Sequence, residues 1–263
     1  MKPQLNTNKT YPKKSLGQNF INDRNFLTKL ASVIVTDIYT NILEIGPGTG
    51  ALTDCLIKKK FQSLYLIEKD ILLFEKLERK YKNNNNIYTI NYDALDYDYK
   101  SINKNETYLI VGNLPFNISS QLLINWIVNF DWPPFYSKMI LMFQKEVAER
   151  IVASHNQRKY GRISVITQAR CRVKKLLNAP SSIFYPKPKV DATVLEFTPI
   201  MKNKNINILN LQKILKKSFE QRRKKIKTSL KEYSCLLEKF EIDGNLRAEN
   251  LSVDEYCKLA SAI

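Results

Sequence analysis

At 263 residues the chain has room for one large domain and a small one without disulfides, and its 44% hydrophobic and 25% charged residues exclude wholesale disorder. Its 42 Lys and Arg against 25 Asp and Glu leave a net charge of +17, which calls for a polyanionic partner; nucleic acid fits better than a membrane, because neither end carries a basic amphipathic helix with an aromatic anchor face. Four scattered cysteines without a C-x-x-C pair, and His155 as the one histidine, argue against a disulfide framework, a zinc or other metal site, and a histidine base.

The N-terminus lacks the apolar stretch of a signal peptide, and no window reaches the ~18 apolar residues of a membrane span, so a cytoplasmic, reducing location is expected. Residues 1–20 are polar and basic, with Pro3 and Pro12, and predict an extended arm. Asp23 then caps a predicted helix carrying Phe26, Leu27, Leu30 and Ile34 on one face. From Ile42 the pattern reads strand (Ile42–Ile45), glycine turn (Gly46–Gly50), helix (Leu52–Lys58) and strand (Leu64–Ile67), a βαβ unit. A helix over Asp70–Tyr81 and an asparagine turn at Asn83–Asn86 follow. Further strands are expected at Ile87–Ile90, Tyr108–Val111, Lys138–Phe143, Arg172–Leu177 and Thr193–Phe197, with a helix over Gln121–Asn129 whose Leu122, Leu123, Trp126 and Ile127 face a core. This alternation predicts an α/β fold with a mostly parallel sheet covered on both faces.

After Thr198-Pro199 the character changes, and helices expected at Leu211–Phe219, Arg222–Tyr233 and Val253–Ala260 make a small α-helical domain over 200–263, set apart from a larger domain over 1–199. Nine basic residues and one acid, Glu220, lie between Lys213 and Lys231, so much of the charge excess collects there.

Glu44-Ile45-Gly46-Pro47-Gly48-Thr49-Gly50 ends a strand and opens a helix, where glycines let the backbone turn tightly and approach a nucleotide-like cofactor. The G-x-G-x-G spacing differs from the G-x-G-x-x-G of dinucleotide enzymes, and no phosphate-binding lysine follows as in a P-loop. Glu68 ends the second strand of that unit, where an acid accepts hydrogen bonds from ribose hydroxyls; Asp93, after the third, is placed to accept one from an adenine amino group. Asn113-Leu114-Pro115-Phe116 follows the fourth strand, and its residue types suit methylation of an exocyclic amine. An asparagine oxygen and a backbone carbonyl accept the amine's two N–H bonds and draw its delocalised lone pair out of the ring, while Pro115 stiffens the turn and the Phe116 ring stacks on the base. Such a base must be unpaired or flipped.

With Lys14-Ser15-Leu16-Gly17-Gln18-Asn19-Phe20-Ile21, the Gly46 loop, Glu68, Asp93, Asn113 to Phe116, Tyr160-Gly161-Arg162, Phe184 to Asp191 and Arg247 to Ser252, the chain resembles the ribosomal RNA small-subunit adenine N6,N6-dimethyltransferases, the KsgA type, from about Lys13 to the C-terminus. The resemblance implies a Rossmann-like S-adenosylmethionine-dependent methyltransferase sheet with a C-terminal α-helical domain that binds RNA. It implies that Asn19, Ile21, Gly46, Glu68, Asp93 and Asn113 contact S-adenosylmethionine, and that Asn113, Leu114 and Phe116 form the catalytic turn, with no metal. The implied reaction is dimethylation of two adjacent adenosines in the 3′-terminal hairpin loop of small-subunit (16S) rRNA, by a monomer acting on a pre-ribosomal small subunit. Arg222, Arg223, Lys224 and Lys225 are read as contacts to rRNA phosphates. Phe116 stands where bacterial members usually carry tyrosine, which keeps the ring face and loses a hydroxyl. Two rival readings are a large-subunit rRNA adenine methyltransferase of the erythromycin-resistance type, which shares the cofactor motifs, and a ribosome-assembly factor without catalysis.

Overall fold

The computed structural model describes residues 12–13, 16–38, 40–101, 106–202 and 206–263. Most of the predicted N-terminal arm, including Pro3 and Lys14-Ser15, lies outside the described residues, as do residues 203–205 of the polar stretch that follows the last strand. In chain order the elements are β1 (Phe20–Ile21), α1 (Arg24–Val33), β2 (Asn41–Ile45), α2 (Thr53–Leu56), β3 (Ser63–Glu68), α3 (Ile71–Tyr81), β4 (Ile87–Asn91), β5 (Tyr108–Gly112) and α4 (Ser119–Val128). They continue with β6 (Tyr136–Gln144), α5 (Lys145–Val152), α6 (Arg162–Arg170), β7 (Cys171–Ala179), β8 (Phe184–Tyr185), β9 (Ala192–Pro199), α7 (Ile208–Glu220), α8 (Ile226–Ser229), α9 (Ser234–Lys239) and α10 (Val253–Ser261).

Alternation along the strands decides the layers. Ile42, Leu64, Leu66, Leu109, Val111, Ile140 and Met142 face one side of the sheet, where they pack with Leu27 and Leu30 of α1, Leu56 of α2 and Leu77 and Tyr81 of α3. Their neighbours Leu43, Ile45, Ile67, Ile110, Leu141 and Phe143 face the other, against Leu122, Leu123, Trp126 and Ile127 of α4 and Ala148 and Ile151 of α5. The sheet has seven strands in the order β4-β3-β2-β5-β6-β9-β7. The first five run parallel, and β9 pairs antiparallel with both β6 and β7. The fold is the Rossmann-like α/β layering that the sequence predicts.

The C-terminal helices form a third core with α6. Leu211, Ile214 and Leu215 of α7 and Tyr256, Leu259 and Ala260 of α10 pack with Tyr160, Val165, Ile166 and Ala169. The buried Arg170 guanidinium ties this part to α4, donating to the carbonyls of Ile127 (3.2 Å) and Ile206 (3.5 Å) while it lies 4.8 Å from the Trp132 ring.

Two predicted helices are shorter than periodicity suggests. The one expected over Leu52–Lys58 is a single turn, Thr53–Leu56, because Lys58-Lys59-Lys60 offers no apolar face to extend it. The one expected over Arg222–Tyr233 is broken: Arg222 to Lys224 form a turn, α8 covers four residues, and a 3-10 turn leads into α9. The break has a cause outside the segment. Lys225 bridges Arg247, and the amides of Ile226 and Lys227 donate to the carbonyls of Leu246 (2.6 Å) and Gly244 (3.1 Å), so donors that would extend a helix backwards serve another segment. Among the described residues, no helix is long and apolar enough to cross a membrane.

The glycine turn after β2 is held from below. Gly50 has φ +81°, and a Cβ there would lie 2.6 Å from the Tyr81 hydroxyl, which donates to the Gly50 carbonyl and to Asp54. Gly50→Ala therefore combines left-handed strain with a clash, and its stability in urea should drop by about 1–3 kcal/mol. Adding Tyr81→Phe should recover part of the loss; a double variant no more stable than the single would refute the steric account.

Candidate active site

The carboxyl ends of β2, β3 and β5 and the turn after β4 open on one cavity, at the edge where open α/β sheets bind ligands. Asn19, Ile21, Gly46, Glu68, Asp93, Asn113, Leu114 and Phe116, scattered over the sequence, all line it. Glu68 is buried at the end of β3. Its two carboxylate oxygens accept from the Gly48 amide (3.0 Å) and the Asp70 amide (2.9 Å), which fixes the head group while leaving lone pairs toward the cavity. Burial raises its pKa, against the pull of those two amides. Gly48 has φ +59°, and a Cβ on it would sit 2.9 Å from the Phe20 ring, so the arm rests directly on the glycine turn.

Asp93 accepts from the Leu95 amide (3.0 Å) and from the Lys69 ammonium (2.5 Å). Burial opposes its charge, but Lys69 and the amide outweigh it and hold the carboxyl below its ordinary range. It is therefore an acceptor at neutral pH.

The turn after β5 is locked to the arm. Asn113 Nδ2 donates to the backbone carbonyl of Asn19 at 2.8 Å, which commits the amide's nitrogen end and leaves Oδ1 as the free acceptor. The amides of Ile118 and Ser119 both donate to the Pro115 carbonyl (3.1 Å each), closing the turn into α4. The Leu114 side chain is buried in the core, so what this residue offers the cavity is backbone. Phe116 is half-buried and meets the Phe184 ring edge-on, with centroids 6.3 Å apart. Phe184 and Tyr185 in turn pair with Ile21 and Phe20, so the start of the Phe184 to Asp191 segment docks the arm, while Asp191 accepts from the amides of Ser181 and Lys145.

Several cavity residues carried no functional reading in the sequence. Phe20 and Gln18 sit inside the arm motif, and Lys69 follows Glu68. Glu44 is the most informative, an acid among Ile42, Leu43 and Ile45 in the fully buried strand β2. Its carboxyl accepts from the Thr53 hydroxyl at 2.8 Å, and burial pushes its pKa up to about 8. A lone acid inside an apolar run was the available signal. Among the described residues, no cluster of three or more His, Cys, Asp or Glu is placed to hold a metal ion.

The basic residues Arg222, Arg223, Lys224 and Lys225 do not line the cavity. They sit on a turn, not on the predicted helix. Arg222 is paired with Glu249 (2.6 Å) and donates to the Arg158 carbonyl (2.5 Å), and Lys225 donates to Asn245 (3.1 Å), whereas Arg223 and Lys224 are exposed. Tyr160 and the Arg247 to Ser252 segment also lie away from the cavity: Tyr160 is core, and Ser252 caps α10 in a reciprocal pair with Glu255.

The family model for ribosomal RNA adenine dimethylases matches residues 10–263. The chain belongs to that family. It is an rRNA adenine dimethyltransferase, with rRNA as the substrate. Ribosomal RNA small subunit methyltransferase A of Pelagibacter ubique is 42% identical over 259 residues, covering 94% of this chain and 95% of its own. The protein of the same name from Brucella abortus is 41% identical, covering 95% of this chain and 92% of its own. Among solved structures, a dimethyladenosine transferase from Plasmodium falciparum superposes with a TM-score of 0.80 at 24% identity, over 91% of this chain and 95% of its own. The 23S rRNA methyltransferase ErmE does so with a TM-score of 0.69 at 20% identity, over 91% and 97%. Both share the fold.

Glu44 has a consequence for stability. The unfolded chain loses this proton near pH 4.5 and the folded one near 8, so between those values the unfolded state binds fewer protons and stability falls as pH rises. The slope attributable to Glu44 is up to about 1.4 kcal/mol per pH unit. In the ligand-free protein, Glu44→Gln keeps an acceptor for Thr53 and should become steadily more stable than the wild type from pH 5.5 to 7.5 in urea titrations; a constant difference would show that Glu44 is ionised when folded.

Proposed function

We propose that this dimethyltransferase uses S-adenosylmethionine to place two methyl groups on each of two adjacent adenosines in the 3′-terminal hairpin loop of small-subunit rRNA, acting as a monomer on a pre-ribosomal small subunit in the cytoplasm. The observation that carries the reading is Asn113, whose Nδ2 donates to the Asn19 carbonyl and so orients the amide with Oδ1 placed to accept from an amine. The relatives from Pelagibacter ubique and Brucella abortus are both named for the small subunit, which favours that target over large-subunit RNA.

The residues present fit the cofactor. Glu68, held by two backbone amides, has lone pairs for the ribose hydroxyls; Asp93, charged and beside an exposed lysine, accepts from the adenine amino group. Gly46 adds no side chain to the wall, Gly48 leaves room for the Phe20 ring, and Asn19 and Ile21 roof the cavity. When bound, S-adenosylmethionine supplies an electrophilic methyl group on a sulfonium. Asn113 Oδ1 and the Leu114 carbonyl accept the N–H bonds of the target amine, which localises its lone pair on nitrogen, and Phe116 holds the base by its ring face. Methyl transfer breaks the S–CH3 bond and leaves a cationic amine, which releases one proton to solvent; a single N–H then remains, so the second transfer relies on one acceptor and on stacking.

In this reading the larger domain, 1–199, carries out the chemistry, and the helical domain, 200–263, contributes rRNA phosphate contacts, chiefly through Arg223 and Lys224, with Arg222 and Lys225 becoming available only by giving up Glu249 and Asn245. Asn113→Ala should abolish methyl transfer to unmethylated small subunits while rRNA binding changes less than threefold. Undiminished turnover would overturn the mechanism, and it would revive a non-catalytic assembly role only if the wild type were also inactive. If about six phosphates are neutralised, binding should weaken roughly a thousandfold between about 50 and 200 mM salt, and Arg223→Ala/Lys224→Ala should flatten that slope by about 1–2. An unchanged slope in the double variant would remove these residues from the interface.

A further inference from the structure

Asp70 lies two residues beyond Glu68, and its side chain is only 3% exposed. Its Oδ1 accepts from the Leu72 amide (3.1 Å) and caps α3. Its Oδ2 faces the arm. There it receives the Lys13 ammonium at 2.9 Å and the Gln18 side-chain amide at 3.2 Å. The two arm residues are themselves joined, since the Lys13 amide donates to Gln18 Oε1 at 2.8 Å. Gln18 is followed directly by Asn19, whose carbonyl receives Asn113 Nδ2, and then by Phe20 and Ile21, paired to β8. Residues 16–21 all line the cavity.

We infer that Asp70 is a positioning residue: it fastens the N-terminal arm, through Lys13 and Gln18, over the cofactor cavity, and thereby sets the roof that Asn19 and Ile21 form and the carbonyl on which Asn113 is oriented. The inference rests on the cavity being the S-adenosylmethionine site. Among the described residues, polar contacts hold the arm across the cavity at Asp70 beside Glu68, at Asn113 on the turn after β5, and along the strand pairing of Phe20–Ile21. The Asp70 fastening is the charged one, and a charge-assisted contact to a buried carboxylate is stronger than a neutral hydrogen bond. Burial opposes the Asp70 charge, but Lys13, Gln18 and the Leu72 amide outweigh it and keep the carboxyl below its ordinary range, so the fastening persists at neutral pH. The same carboxylate carries two duties on separate oxygens, which lets them be tested apart.

Asp70→Asn retains an acceptor for the Leu72 amide and loses the charge, so α3 should stay capped while the arm is loosened. Expected results are an unchanged melting temperature without ligand, a KM for S-adenosylmethionine raised about tenfold, a kcat changed less than threefold and an unchanged KM for small subunits. Calorimetric titration with S-adenosylmethionine should show the same tenfold loss. Lys13→Met/Gln18→Leu should reproduce it from the other side of the contact, and combining these with Asp70→Asn should weaken binding no further, because one link is broken either way. Tight wild-type binding with equal affinity in both sets of variants would overturn the inference and leave the site assignment standing. Additive losses, or a loss confined to melting temperature, would overturn it too, marking Asp70 as a helix cap alone. A wild type that does not bind S-adenosylmethionine would remove the site assignment and the inference together.

Discussion

Strands β2 and β5 are hydrogen-bonded neighbours, yet the chain leaves them toward opposite faces of the sheet, β2 into α2 on the face of Leu56 and β5 into α4 on the face of Trp126. Adjacent parallel strands whose crossovers part in this way leave a crevice at their carboxyl ends that neither crossover fills. Every other feature of the site is an answer to that crevice. The glycine turn forms one wall, the Asn113 turn the other, and Glu68 and Asp93 extend it along the next two strands. The arm, far away in sequence, supplies the roof.

The roof is what makes the crevice specific. An open sheet edge would let a sugar or an amine bind in many orientations, whereas the contact from Asn113 to Asn19 commits one end of an otherwise ambiguous amide. A primary amide offers both donors and an acceptor, and fixing its nitrogen end on a carbonyl decides where its oxygen lies. In the proposed reading, the cofactor site and the methyl-acceptor site therefore share a structural element, the arm that carries Asn19.

Charge is distributed with the same division of labour. Glu44, Glu68 and Asp70 are buried around the glycine turn, each with named donors, in a protein whose net charge is +17. Unpaired acids there would be costly, and their hydrogen bonds are what allow a polar cavity to be built into an apolar sheet. The positive excess lies on the outside, where it offers a polyanion long-range attraction without defining a pocket.

Local chemistry made much of this legible from the residues alone. Short apolar runs alternating with helical segments marked the strands and the mostly parallel sheet, and glycines before a helix, an acid at a strand end and an asparagine-proline turn marked the cavity's walls, because these features depend on near neighbours in the chain. What tertiary structure decided were the partnerships across long separations. Asn113 reaches Asn19, Asp70 reaches Lys13 and Gln18, and the Phe184 segment pairs with the arm. The broken helix after Arg222 has the same origin, since its amides pair with residues 244 and 246, and so has the place of α6, which shares a core with helices that follow it. Periodicity reports which face of a segment is apolar; which distant group takes a given donor or acceptor depends on packing, and only the folded chain brings those groups within hydrogen-bond distance.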